Sequence, residues 1–186
     1  LYGVIMAGIV GLTEIQHQNG TSAMTVTNAG EVAIAKRKFI HFYGEPSALI
    51  TLSRGSDTTL TGFTLNEIDT DTAWDGSTFT VPSGQAGTYM MRAQVEIDFS
   101  GIGGDGEAYR MSIRKNGTIT AEIQYSHNSN QGYTRIGSLI VEQIIVLAAT
   151  DAITFVVNCA DQSGGGGGRI NTATSRSRVY GYRMDV

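Results

Sequence analysis

The chain has 186 residues and a formal net charge of −4, with 13 Lys and Arg against 17 Asp and Glu, which excludes the broad basic face of a general nucleic-acid binder. Hydrophobic residues make up 41% of it and charged residues only 16%, so a core is within reach without metal or disulfide staples. The 24 glycines follow no G-X-Y period, which excludes collagen, and read as turns between many short strands.

The opening LYGVIMAGIVGL is apolar but only twelve residues long. That is well short of the ~20 residues that span a bilayer, and no basic leader precedes it. No membrane insertion is expected; an apolar segment of this kind needs a partner chain or an upstream region. A start at Leu1 rather than Met points to a piece of a longer protein. Residues 19–38 hold two very short β segments around Asn28-Ala29-Gly30, too short to bury a face alone. Residues 1–40 are therefore expected to be an oligomerising stem, and 41–186 a globular head.

Within the head, Asp69, Asp71 and Asp75 of DTDTAWDG faintly echo a calcium loop. The distal bidentate Glu is missing, and a solvated loop is the simpler reading. STFTVPSGQAGTYMM, Ser77 to Met91, then carries an apolar pair around Pro82, a turn, and the start of a strict alternation. Tyr89, Met91, Ala93, Val95, Ile97 and Phe99 fall on one face. Met90, Arg92, Gln94, Glu96, Asp98 and Ser100 fall on the other, as expected of a half-buried antiparallel strand. Glu96 and Asp98 read as solvated neighbours rather than as a catalytic carboxylate pair.

GIGGDG (101–106) matches G-x-G-x-x-G, but strand-like residues follow it, so no helix N-terminus waits for a pyrophosphate. Asn116-Gly117 between strand-like flanks signals a tight hairpin. Residues 136–148 are apolar on both faces; β-branched residues favour a strand over a helix, packed between sheets or against another subunit. Cys159 lies in the apolar run Ile153, Phe155, Val157 and reads as a buried structural thiol. A glycine-rich loop follows, and SRVYGYRM closes the chain as a last strand. His17, His41 and His127 lack metal-ligand spacing. No G-x-S-x-G elbow is present, and neither a cofactor, a metal site nor a catalytic cluster is expected. Strands at this spacing imply an all-β sandwich.

Several landmarks then fall in order: Trp74-Asp75-Gly76-Ser77, Phe79-Thr80-Val81-Pro82, Gly87-Thr88-Tyr89, Ser112 to Gly117, Leu139 to Phe155, and Ser177 to Met184. Together they resemble the globular head of the complement first-component q subunit and its tumour-necrosis-factor-like relatives, over about residues 42–186. The resemblance implies a ten-stranded antiparallel jelly roll that assembles as a homotrimer around apolar central strands. Ala149-Thr150-Asp151 stands where the family has Gly-Asp, and no collagen stalk precedes the head. GTSAMTVTNAGEVAI, Gly20 to Ile34, resembles the linker that precedes C-terminal knobs in tail fibres of tailed bacteriophages.

These resemblances imply a non-enzymatic trimeric knob on a virion appendage, acting outside the cell. It would bind a host-surface polysaccharide or protein receptor and other virion proteins through the stem. The alternative is a structural virion role, as a capsid decoration or a fibre-trimerisation module. Tyr125, His127, Asn128, Asn130, Gln131, Tyr133 and Arg135 offer the aromatic, amide and guanidinium groups that suit a glycan. Phe155, Tyr180 and Tyr182 are candidates for the trimer interface, with ordinary intrasubunit core as the other possibility.

Overall fold

The computed structural model describes residues 14–16, 22–26, 32–34, 41–67, 72–98, 107–127, 136–160, 168–170 and 176–184. The chain divides into two compact units, Leu1–Lys38 and Phe39–Val186. In the first, β1 (Glu14–Gln16), β2 (Ser22–Val26) and β3 (Val32–Ile34) form an antiparallel meander. Met24 sits in register with Ile15 on one side and Ile34 on the other.

The described residues of the second unit form strands and loops only. The shorter strands are β4 (His41–Pro46), β5 (Ile50–Thr51), β6 (Asp57–Thr59), β7 (Phe63–Glu67) and β8 (Thr78–Thr80). The long central ones are β9 (Gly87–Asp98), β10 (Glu107–Lys115), β11 (Thr118–His127), β12 (Ile136–Leu147) and β13 (Ala152–Ala160). β14 (Arg169–Ile170) and β15 (Arg178–Arg183) complete the set. One sheet runs β11-β10-β13-β6, with β8 also on β13. The other runs β5-β14-β9-β15-β4-β7, with β12 along the opposite side of β9. All of these strand pairs are antiparallel. Among the described residues the two sheets hold twelve strands where the resemblance implies ten, with short pieces such as β5 and β14 extending one of them.

Alternation along the long strands builds the core between the sheets. Tyr89, Met91, Ala93, Val95 and Ile97 of β9 are fully buried and meet Tyr109, Met111 and Ile113 of β10. Phe42 forms the aromatic centre, stacked on Trp74 and Phe79 with ring centroids 4.8 and 4.9 Å away. Trp74 is held in turn by its Nε1–H, which donates to the Phe63 carbonyl at 2.9 Å. This satisfies the one polar atom of the indole inside an apolar site. Cys159 is a buried free thiol in the same cluster.

Two turns are locked together at one end of the sandwich. Asn116 and Gly117 take φ of 50° and 82°, the left-handed values that a two-residue hairpin loop requires. Asn116 Nδ2 donates to Asp151 Oδ1 at 2.8 Å, the Ala152 N–H donates to Asn116 Oδ1 at 2.9 Å, and Lys115 Nζ lies 2.7 Å from Asp151 Oδ2. The loop between β10 and β11 is thereby tied to the loop between β12 and β13.

Glu96 departs from the alternation. It was expected on a solvated face beside Asp98, yet it is buried. Along one side of β9, β15 pairs with residues 89–94 and β14 with 97–98, which leaves a gap at Glu96. Ser177 fills the gap: the Glu96 N–H donates to Ser177 Oγ at 3.0 Å, and the Arg176 guanidinium bonds both carboxylate oxygens. Burial is tolerable because the charge is paired and hydrogen-bonded.

Candidate assembly surface

The outward face of the β12-β9-β15-β4 sheet is built in register rows. Ile144, Met90, Tyr182 and His41 form one row across the four strands. Glu142, Arg92, Tyr180 and Tyr43 form the next. Ile140, Gln94 and Arg178 follow in a third. Ile144 is 60% exposed and Val146 70%, and Ile140, Tyr182 and Met184 are exposed too. Large apolar residues on the second face of a sheet mark a candidate interaction surface.

Polar groups are set into this apolar field. Arg92 pairs with Glu142 at 3.2 Å and lies 5.8 Å over the Tyr180 ring, within cation–π range. Arg178 Nη2 donates to Gln94 Oε1 at 3.2 Å. The Tyr43 hydroxyl donates to Glu45 Oε1 at 2.6 Å. Burial first, and then the Glu45 carboxylate, raises the pKa of that phenol and keeps it neutral. A concavity of about 340 Å³ opens beside it, lined by His41, Tyr43, Arg178, Tyr180, Gly181 and Tyr182.

A second apolar surface runs along the open side of the sandwich. Among the described residues, β11 pairs only with β10 and β12 only with β9, so two long strands end their sheets on the same side. Ile123 and Tyr125 of β11 are exposed there, and Ile119, in register with Arg114 past a bulge, is exposed farther along the same strand. Ile123 and Tyr125 sit opposite the buried Met111 and Tyr109, so they belong to the inner face where the sandwich opens. Inside that opening Gln143 Nε2 donates to the Thr120 carbonyl at 3.2 Å, while Gln143 Oε1 is buried with no partner among the described residues.

The structure separates the residues expected at the interface. Tyr180 and Tyr182 stand on the outward face, as an interface requires. Phe155 does not: its ring is fully buried 6.5 Å from Phe42 and 6.3 Å from Trp74, as core of its own chain. Alternation decides this, because Phe155 points inward with Ile153 and Val157. Of the residues proposed for glycan binding, Tyr125 ends β11 as an exposed side chain, and His127 closes the same strand. Asn128, Asn130, Gln131, Tyr133 and Arg135 lie outside the described residues, as do Asp69 and Asp71. Asp75 caps its own turn, with Oδ1 accepting from the Ser77 and Thr78 N–H groups at 2.8 and 2.7 Å. Sequence reasoning did not single out Ile144, Val146, Ile119 or Arg178 as surface features. The signal for the first two was present in the double-sided apolar run 136–148.

No protein-family model matches the chain, and no curated protein matches it. Among solved structures, that of Eiger TNF from S. frugiperda superposes with a TM-score of 0.58 at 12% sequence identity, covering 80% of this chain and 94% of the other. With the paired antiparallel sheets described above, this makes the fold of the chain a TNF-like jelly-roll sandwich.

Proposed function

We propose that the chain is a non-enzymatic, homotrimeric binding knob on a virion appendage of a tailed bacteriophage, which attaches to a glycan or protein receptor outside the cell. The observation that carries this reading is the pair of uncovered apolar surfaces: the rows around Ile144, Tyr180 and Tyr182, and the open side at Ile123 and Tyr125. They are different surfaces on one rigid body. A contact that seats the open side of one copy on the face of the next is head-to-tail, and with a rotation of a third of a turn per copy it closes into a ring of three. Three weak sites on one ring act together, and avidity can exceed single-site affinity by about 10²–10⁴. The virion setting is supported by the resemblance of Gly20 to Ile34 to tail-fibre linkers. Receptor contact is assigned to the segment from Tyr125 to Arg135.

Native mass by light scattering on a sizing column tests the assembly. Three chains of 19.8 kDa give about 59 kDa, and a stable species of one chain would overturn the reading. Whole-cell binding by the trimer, compared with that of a Tyr133→Ala, Arg135→Ala double variant, tests attachment. Loss of binding with the mass unchanged is expected. Unchanged binding would remove these loop residues from the receptor site and favour the purely structural role.

A further inference from the structure

The hairpin turn at Asn116-Gly117 carries a chemistry that the fold does not use. An asparagine followed by glycine can close on itself. The Gly117 nitrogen attacks Asn116 Cγ, a C–N bond forms, the Cγ–Nδ2 bond breaks, and ammonia leaves with the proton that the nitrogen gave up. Water then opens the cyclic imide at either carbonyl. The product is Asp, or an isoaspartate whose backbone runs through the side chain. Glycine eases the approach because it has no Cβ. At Gly117 the space where a Cβ would stand is open, with no atom beyond the chain neighbours within 4 Å. Both residues are exposed to water.

The tie between the two loops stands against this reaction. Asn116 Nδ2 donates to Asp151 Oδ1 at 2.8 Å, and Asn116 Oδ1 accepts from the Ala152 N–H at 2.9 Å. The Asn116 N–H also donates to the Ala152 carbonyl at 2.8 Å. Asp151 is itself held by Lys115 Nζ and by the Ala148 N–H, each at 2.7 Å. Addition at Cγ turns a planar amide tetrahedral and then expels Nδ2. Both side-chain bonds have to be given up, one of them to a charged acceptor, which is the stronger kind.

We propose that Asn116 is a latent deamidation site, protected while the two loops are tied, and that reaction there unties them irreversibly. The product is the reason. Deamidation puts a carboxylate oxygen in place of the Nδ2 donor, facing Asp151 Oδ1, and two carboxylates at hydrogen-bond distance repel. Lys115, shared between them, cannot neutralise both. In the isoaspartate product an extra backbone carbon also enters the turn between β10 and β11, and the register of a hairpin is fixed by its turn. The end of the sandwich where these loops meet then loosens, and water does not restore the amide.

Peptide mapping by mass spectrometry tests this on the full chain, held in mildly alkaline buffer with and without guanidinium chloride. Conversion of Asn116 to Asp and isoaspartate is expected in the denatured chain, and at least about tenfold more slowly in the native one, because two hydrogen bonds add to the barrier. Asp151→Ala, verified as folded by circular dichroism, is expected to remove most of that protection. Asp151→Asn, whose side-chain carbonyl still accepts from Nδ2, is expected to keep more of it. Lys115→Gln, which frees Asp151 from its cation, covers the case in which Asp151→Ala does not fold; it is expected to speed the native reaction roughly threefold. Native and denatured chains that react at one rate would overturn the protection, as would folded Asp151→Ala or Lys115→Gln chains as slow as the wild type. A denatured chain that keeps its amide would overturn the site itself. Asn116→Asp reproduces one product and is expected to lower the folding equilibrium constant about tenfold. An unfolding midpoint equal to that of the wild type would overturn the release.

Discussion

The ring of Phe42 lies flat on the indole of Trp74, with centroids 4.8 Å apart and planes 5° from parallel. The stack joins β4 to the segment before β8, two parts of the chain that no strand pairing connects directly. Trp74→Ala removes the stack and the hydrogen bond to Phe63 together. A loss of about 3–5 kcal/mol is expected, in the range for large aromatic truncations in a core. Urea unfolding followed by circular dichroism measures it, since the variant lacks the only tryptophan of the chain.

Gly181 lies between the two outward tyrosines of β15 and faces inward. A Cβ there would stand 2.5 Å from Met91 Sδ and 2.7 Å from Phe42 Cε1. Gly181→Ala therefore overpacks the core and is expected to destabilise by about 1–3 kcal/mol. A fall in the denaturant midpoint with an unchanged slope would be the signature, since only stability changes.

Thr150 takes φ of 71°, a left-handed conformation that a β-branched residue adopts only under strain. Relief of the strain, roughly 1–2 kcal/mol, outweighs the added freedom that Gly gives the unfolded chain. Thr150→Gly is expected to raise stability by about 1 kcal/mol, measured by thermal or denaturant unfolding. An unchanged or lower midpoint would contradict this account of the turn.

Asp151 holds its pKa at about 2, chiefly through the Lys115 ammonium, with the Ala148 N–H and the Asn116 amide adding to it. The folded-state value lies below the unfolded one, so the folded chain binds fewer protons between them. Its contribution is complete above about pH 4 and fades as pH falls towards 2. Asp151→Asn should flatten the acid limb of the stability curve and cost on the order of 1 kcal/mol at neutral pH, given screening by nearby water. Unfolding midpoints collected from pH 2 to pH 7 would show this.

Ile144 stands more than half exposed on the outward face of β12. In the trimer proposed above, Ile144→Glu is expected to leave the single chain folded and to lower the native mass from about 59 kDa to the 19.8 kDa of one chain. Intact circular dichroism with an unchanged mass would exclude this face from the contact.

Period-two patterning was legible wherever one face of a strand meets the core. Met91, Ala93, Val95 and Ile97 fall inward as their spacing dictates, and Asn116-Gly117 turns as its residue types require. Glu96 was not legible, because its burial depends on Arg176 and Ser177, some eighty residues later in sequence. Phe155 was ambiguous because a core and an interface select the same residue types; only its pairing within β13 separates them. Arg178 was not legible either, since nothing local tells that it projects onto the outward face. β6, β8 and β14 are two or three residues long, too short for alternation to register.

The open side at β11 and β12 also sets a time limit. Strands of ten and twelve residues each have one edge that no described strand pairs, beside exposed isoleucines, which is a template for any other extended segment. In the trimer proposed above, a newly made chain carries that template from the moment its sandwich closes until the next copy covers it. Slow, non-local strand pairing lengthens the wait. The yield of soluble protein is then a race between correct association and aggregation, decided by synthesis rate, temperature and chain concentration rather than by the stability of the finished fold.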